Sequence, residues 1–197
     1  MDDTTKAIWK KFHIKRHDTV PFSGWYNSTQ QTLDKLLAEL NFNNGAEVGV
    51  CKGEHARALL RLNKNLKLLL VDPWCPYNRL SQEKADMRFD MCKKRLGHYE
   101  HRITYMKMSS MEAVRQVEDR SLDFVYIDGL HEFDPVMMDI ISWVPKVRPG
   151  GIVAGHDYYS FYQSGIIDAV NTYTKAHNIN EWYTTRDKEA TWFWVSR

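Results

Sequence analysis

Residues 122–159 read LDFVYIDGLHEFDPVMMDIISWVPKVRPGGIVAGHDYY, two apolar runs with a helical pattern between them. An apolar run ends abruptly at Asp128-Gly129. A second, Gly151 to Ala154, ends at His156-Asp157. Between them lies a helix that Asp134 would cap, with Pro135 at its first position, the favoured place for proline. Strands joined through a helix pair in parallel, so both polar ends fall on one edge of an open α/β sheet. That edge is where such sheets take ligands. Either aspartate alone reads as a turn residue after a strand. The pair, with His131 and His156 beside it, reads as a site.

The same grammar extends in both directions. Ser28 and Gln31 have capping-box spacing ahead of Leu33, Leu36, Leu37 and Leu40, which share a helical face. AEVGV is a short strand, and Gly53 leads into a helix carrying Ala56, Leu59, Leu60 and Leu62. LKLLLVD is an apolar strand ending in Asp72-Pro73. A polar helix over 79–97 stops at Gly97, and ITYMKM is the next strand. Ser109 and Glu112 repeat the capping-box spacing. After the opening stretch come a helix from about Ser164 to Ala176 and two aromatic strands, EWYTT and ATWFWVS, with RDKE as their turn. Residues 1–27 read as irregular. Strand and helix alternating five times predict a single Rossmann-like α/β domain. Its mostly parallel, seven-stranded sheet would have helices on both faces and a C-terminal β-hairpin.

The whole chain sets bounds. Its 197 residues suffice for one domain with a substantial core. With 27 basic against 25 acidic residues, no bulk charge argues for nucleic acid or a membrane surface. Runs such as LKLLLV are too short to span a bilayer, and the N-terminus lacks the apolar core of a signal peptide. The basic run Lys10 to Arg16 reads as a solvated face rather than a phosphate contact. Cys51, Cys75 and Cys92 form no CxxC pair, which fits reduced thiols in the cytoplasm. A catalytic thiol at Cys51 or Cys75 is the sharper alternative.

Four segments in order resemble the class I S-adenosylmethionine-dependent methyltransferases. They are Glu47-Val-Gly-Val-Cys-Lys-Gly53, Val71-Asp72-Pro-Trp74, Met108-Ser-Ser-Met-Glu112, and Asp128-Gly-Leu-His-Glu-Phe133 with Asp139, Gly150-Gly151 and His156-Asp157. The last is similar to a small-molecule O-methyltransferase subgroup, methyltransferase family 24, which includes catechol-type and antibiotic sugar O-methyltransferases. The resemblance covers residues 28–197 and leaves 1–27 as an N-terminal segment that could serve as a pocket lid. It implies a methyl donor held by Glu47, Gly49, Gly53, Asp72, Trp74, Ser109, Ser110 and Asp128. Cys51 and Lys52 stand where a three-glycine loop has its middle glycine. His156-Asp157 stand where metal-dependent members offer two oxygen ligands.

The residues themselves allow this chemistry beside plainer roles. Gly49 and Gly53 let backbone pass close to a ligand, or simply make a tight turn. Asp72 could accept both hydroxyls of a ribose, in an S-adenosylmethionine or an NAD site alike. Trp74 could stack on adenine or fill the core, and Ser109 could cap a helix. Histidine suits proton transfer near neutral pH, so His131 is the candidate base, with Asp128 beside it. Asp128, His156 and Asp157 are the candidate ligands of Mg2+ or another divalent cation. The expected activity is methyl transfer to a small-molecule acceptor, with a hydroxyl as its target. A nicotinamide-dependent oxidoreductase and a non-catalytic cofactor-binding module are the alternatives. Aromatic residues in Pro21 to Asn27 and Trp74 to Leu80 would flank the pocket.

Overall fold

Apolar runs separated by helices must form a parallel sheet, because each strand can rejoin its neighbour only after a crossover. A computed structural model of the chain describes residues 1–15, 19–24, 27–78, 80–161 and 164–197. The chain opens with α1 (Asp3–Phe12), β1 (Phe22–Ser23), α2 (Gln30–Glu39), β2 (Asn44–Val48) and α3 (Glu54–Leu62). Then come β3 (Lys67–Val71), α4 (Gln82–Leu96), β4 (Ile103–Met106), α5 (Ser110–Ala113) and β5 (Leu122–Ile127). It closes with α6 (Phe133–Trp143), β6 (Val147–Gly155), α7 (Ile166–Ala176), β7 (Trp182–Thr184) and β8 (Trp192–Val195).

The strands form one sheet in the order β1-β7-β8-β6-β5-β2-β3-β4. From β6 to β4 every pairing is parallel. β8 runs antiparallel between β6 and β7, which is the expected hairpin entering the sheet. Helices α1 to α4 cover one face, with Phe12, Leu33, Leu36, Leu60 and Leu96 against Phe124 and Phe193. α6 and α7 cover the other, with Val136, Ile140, Trp143 and Val170 against Val125 and Val153. Among the described residues no helix is long and apolar enough to cross a membrane.

Several expectations need correction. Residues 1–27 are not irregular throughout. Asp2 caps α1 by accepting from Thr5 N at 2.8 Å, and Ile8 and Phe12, one turn apart, are fully buried. The Phe12 ring lies 5.1 Å from Phe193. Among the described residues the sheet has eight strands rather than seven, because Phe22 and Ser23 pair with Tyr183 and Thr184. The cap of α2 is Thr29 with Thr32, one residue beyond Ser28 and Gln31. Glu132 takes the cap position of α6, which puts Asp134 inside the first turn and Pro135 third. The Ser109–Glu112 box forms as expected.

Candidate active site

Strand order reverses at β2: β3 and β4 lie on one side of it, β5 and β6 on the other. Open α/β sheets bind ligands at such a reversal, beyond the C-terminal strand ends. A cavity of about 400 Å3 occupies that place. Its walls come from Gly49 and Cys51 after β2, Asp72 and Trp74 after β3, Ser109 and Ser110 after β4, and Asp128 after β5.

Asp72 organises the loop between β2 and α3. Its Oδ2 accepts from Val50 N at 3.1 Å and Cys51 N at 2.9 Å, and its Oδ1 from Trp74 N at 2.8 Å. A carboxylate has about four acceptor sites, so about one is left, enough for a single ribose hydroxyl rather than the two expected from the sequence. Trp74 is both cavity wall and core. It is 2% exposed, donates from Nε1 to Cys51 O at 2.8 Å and packs 4.5 Å from Phe89. Ser110 donates to Asp139 and accepts from Trp143 Nε1. Burial, the larger influence, pushes the Asp139 carboxyl up to about 6 against that hydrogen bond.

The two loop glycines differ. At Gly49, with φ of +92°, a Cβ would lie 2.0 Å from Asp128 O, so glycine is demanded by the close approach of two strand ends. Gly53 caps α3 with φ of +73° and faces Cys92 and Leu96 of α4, away from the cavity. Glu47 is 1% exposed and likewise absent from the cavity wall. Its nearest ionic neighbour is His55 Nδ1 at 3.8 Å. A role for Cys51 as a reactive thiol is disfavoured, because burial raises its pKa.

Beside the cavity, the ends of β5 and β6 bring four predicted residues together. His131 Nε2 lies 3.1 Å from Asp157 Oδ2, and His156 Nδ1 lies 3.3 Å from Asp157 Oδ1 and 3.8 Å from Asp128 Oδ1. Asp157 adopts a left-handed backbone, φ +58°, which turns its carboxylate between the imidazoles. Burial opposes its ionisation, but hydrogen bonds from His131 and His156 hold its pKa well below the usual value. Burial dominates at Asp128 and pushes it up to about 6. The Asp157 hydrogen bond raises His131; at His156, burial is outweighed by Asp157 and Asp128.

Among the described residues two triplets have ligand atoms within 4.8 Å of one another: Asp128, His131, Asp157 and His156, Asp157, Glu189. Sequence reasoning paired Asp128, His156 and Asp157 and missed Glu189, which arrives from the β7–β8 turn. It also missed Arg88, Leu130 and Met138 on the cavity wall. The Leu130 and Met138 positions carried a signal, since each is a large apolar residue beside a strand end or a helix face and stays exposed, at 44% and 50%. Of the aromatic stretches expected to flank the pocket, Trp25, Tyr26 and Arg79 lie outside the described residues, as does Arg16 of the basic run.

A family profile described as a methyltransferase domain matches residues 46–158, more than half of the chain. An uncharacterized protein of Acanthamoeba polyphaga mimivirus is 26% identical over 131 residues, 64% of this chain and 56% of the relative. A second, from Sinorhizobium fredii, is 33% identical over 63 residues, 29% of this chain and 7% of the relative. The chain thus spans about half, or far less, of these curated relatives. In shape it is similar to an O-methyltransferase from Bacillus cereus in complex with SAH, TM-score 0.62, 12% identity, covering 100% of this chain and 92% of the other. It is also similar to TomG from Streptomyces achromogenes, an O-methyltransferase of tomaymycin synthesis in complex with SAM. There the TM-score is 0.60, with 14% identity and coverage of 100% and 91%.

Proposed function

The chain belongs to the methyltransferase-domain family, S-adenosylmethionine-dependent enzymes, and on that premise we propose that it methylates a hydroxyl of a small molecule. One observation carries the reading. Asp128 belongs both to the wall of the cavity that suits a nucleoside-sized donor and to the His131–Asp157 cluster beside it. The similar structures are those of O-methyltransferases, which supports the hydroxyl target.

In this scheme the donor's ribose sits at Asp72 and its adenine by Ser109 and Ser110. The methionine end faces Gly49 and Cys51. The acceptor oxygen attacks the methyl carbon in line, the carbon–sulfur bond breaks, and the sulfonium leaves as a neutral thioether. The protein's first contribution is positioning. Its second is proton removal: His131 Nδ1 takes the hydroxyl proton, while Asp157, which accepts from Nε2–H at 3.1 Å, fixes that tautomer and stabilises the imidazolium that results. Leu130 and Met138 give the acceptor side an apolar wall. α1 of the N-terminal segment packs in the core through Ile8 and Phe12, so that helix is not given a lid role.

The resemblance also implies a divalent cation. Asp128 and Asp157 would supply oxygens and His131 nitrogen, a set that fits Mn2+ or Zn2+ better than Mg2+, which prefers oxygen alone; with an ion bound, His131 would serve as its ligand in place of acting as the base. When bound, such an ion would lower the pKa of the acceptor hydroxyl. The alternative of a non-catalytic module is disfavoured by the intact His131–Asp157 contact. Methyl transfer from labelled S-adenosylmethionine to a panel of hydroxylated metabolites tests the proposal. No product from folded protein across phenols, sugars and polyketide-type alcohols would reject the hydroxyl reading.

A further inference from the structure

The face of the sheet under α1 to α4 hides polar groups that methyl transfer does not use. Glu47, on β2 two residues before Gly49, is buried, and its Oε2 has no hydrogen-bond partner among the described residues. His55, in the first turn of α3, has a side chain only 8% exposed. Its Nε2 lies 3.0 Å from Asp34 Oδ1 on α2, but its Nδ1 has no hydrogen-bond partner among the described residues. That Nδ1 is 3.8 Å from Glu47 Oε1, beyond hydrogen-bond reach. The Tyr126 ring packs 4.1 Å from His55, and its hydroxyl accepts from Gln30 Nε2 at 2.7 Å. Buried polar atoms are nearly always paired, so two unpaired atoms on neighbouring side chains ask for a reason.

The charges around Glu47 supply one. It faces His55 from α3, Asp34 from α2, Asp128 after β5 and Asp72 after β3. Tyr126 lies opposite on β5, and Cys92 on α4 feels its charge. Against three carboxylates there is one imidazole. Burial is the main cause that lifts Glu47 to about 8, with His55 a partial offset. At His55 burial is outweighed chiefly by Asp34, through its charge and its hydrogen bond, and the pKa rises to about 9. Near neutral pH the resting cluster therefore holds a His55 imidazolium beside a protonated Glu47.

We propose that the methyl donor's ammonium, arriving at the Gly49 loop, drives the proton off Glu47 and lets the Glu47 carboxylate close on His55 Nδ1–H. This rests on the reading that the cavity takes the donor by its methionine end near Gly49. The proton passes to solvent, and no other bond changes. His55 then acts as a positioning residue: its closed pair ties the first turn of α3 to β2 and so fixes the loop that holds the donor. Donor affinity rises with pH up to the Glu47 titration, because the proton must leave.

Calorimetric titration of SAH into the intact protein tests this, at pH 7 in phosphate and in Tris, whose heats of ionisation differ widely. The expected result is a buffer-dependent heat that reports release of close to one proton per SAH, since a group with a pKa of about 8 is mostly protonated there. Glu47→Gln should still bind SAH, with a heat independent of buffer. His55→Gln should weaken SAH binding about 10-fold or more while leaving a folded protein, the scale of one lost charge-assisted hydrogen bond. Equal heats in both buffers, or proton release that survives Glu47→Gln, would overturn the proposal. Should Glu47→Gln fail to fold, the parent decides: release that fades above pH 8 supports Glu47, and release that fades above pH 6 points to Asp128 and overturns it. Absence of any SAH heat would instead reject the donor reading itself.

Discussion

Gly49→Ala should be far more damaging than Gly129→Ala, although both glycines line the same cavity. At Gly49 the backbone sits at φ +92°, and a left-handed conformation costs a residue with a Cβ about 1–2 kcal/mol. The added methyl would lie 2.0 Å from Asp128 O and 2.6 Å from Gly129 Cα, which are backbone atoms that cannot rotate away. Overpacking of this kind adds about 1–3 kcal/mol. The combined loss is about 2–5 kcal/mol, and in a domain of this size that lowers the melting temperature by roughly 4–20 °C. At Gly129 an added Cβ would find Asp139 Oδ2 as its nearest atom, at 3.5 Å, an ordinary contact distance, so the change should be small. Thermal unfolding of the parent and both variants, followed by circular dichroism, measures the difference. Any Gly49→Ala protein that folds should also bind SAH weakly, because Asp128 is displaced. Equal melting temperatures for the two variants would refute the claim that Gly49 is dictated by contact between the ends of β2 and β5.

His131→Ala should cut turnover about 100-fold or more while leaving SAH affinity nearly unchanged, the scale of a lost general base; steady-state rates beside SAH titrations check it. Because Asp157 raises His131 above its ordinary value of 6.5, the alkaline rise in rate should have its midpoint above 6.5, and Asp157→Asn should move it down. The donor-free protein should be more stable at pH 6 than at pH 9. His55, raised from 6.5 to about 9, contributes stability below pH 6.5 that is lost as pH climbs through 9. Glu47, raised from 4.5 to about 8, favours the unfolded state increasingly between those values, so Glu47→Gln should flatten the profile in thermal melts. Ser109→Ala should cost about 1 kcal/mol in denaturant unfolding through loss of the α5 cap.

The strands and most helices were legible because their signals are local. LKLLLV and LDFVYI are largely apolar, which is what strands buried on both faces require. Helix α1 was obscured because Lys10 and Lys11 dominate its last turn, although Asp2 and the Ile8–Phe12 spacing carried its signature. Strand β1 has two residues, too short for any periodicity, and exists through pairing with β7 alone. In the site, Asp128, His131, His156 and Asp157 could be placed because parallel strands must end on one edge. Glu47 was harder. Alternation along β2 puts Gly45, Glu47 and Gly49 on one face, and only tertiary packing decides that Glu47 meets His55 rather than the cavity. Glu189 depends on how the hairpin turn folds back, which no local spacing encodes.

The proposed function requires the cavity between β2, β3, β4 and β5 to hold S-adenosylmethionine. Equilibrium dialysis of labelled S-adenosylmethionine against the folded protein, with unlabelled SAH and NAD as competitors, tests it most directly. Saturable binding displaced by SAH and not by NAD is expected, weakened about 10-fold in Asp72→Ala, which removes two hydrogen bonds to the β2–α3 loop and one to Trp74 N. No binding at millimolar concentration, or displacement by NAD in place of SAH, would contradict it.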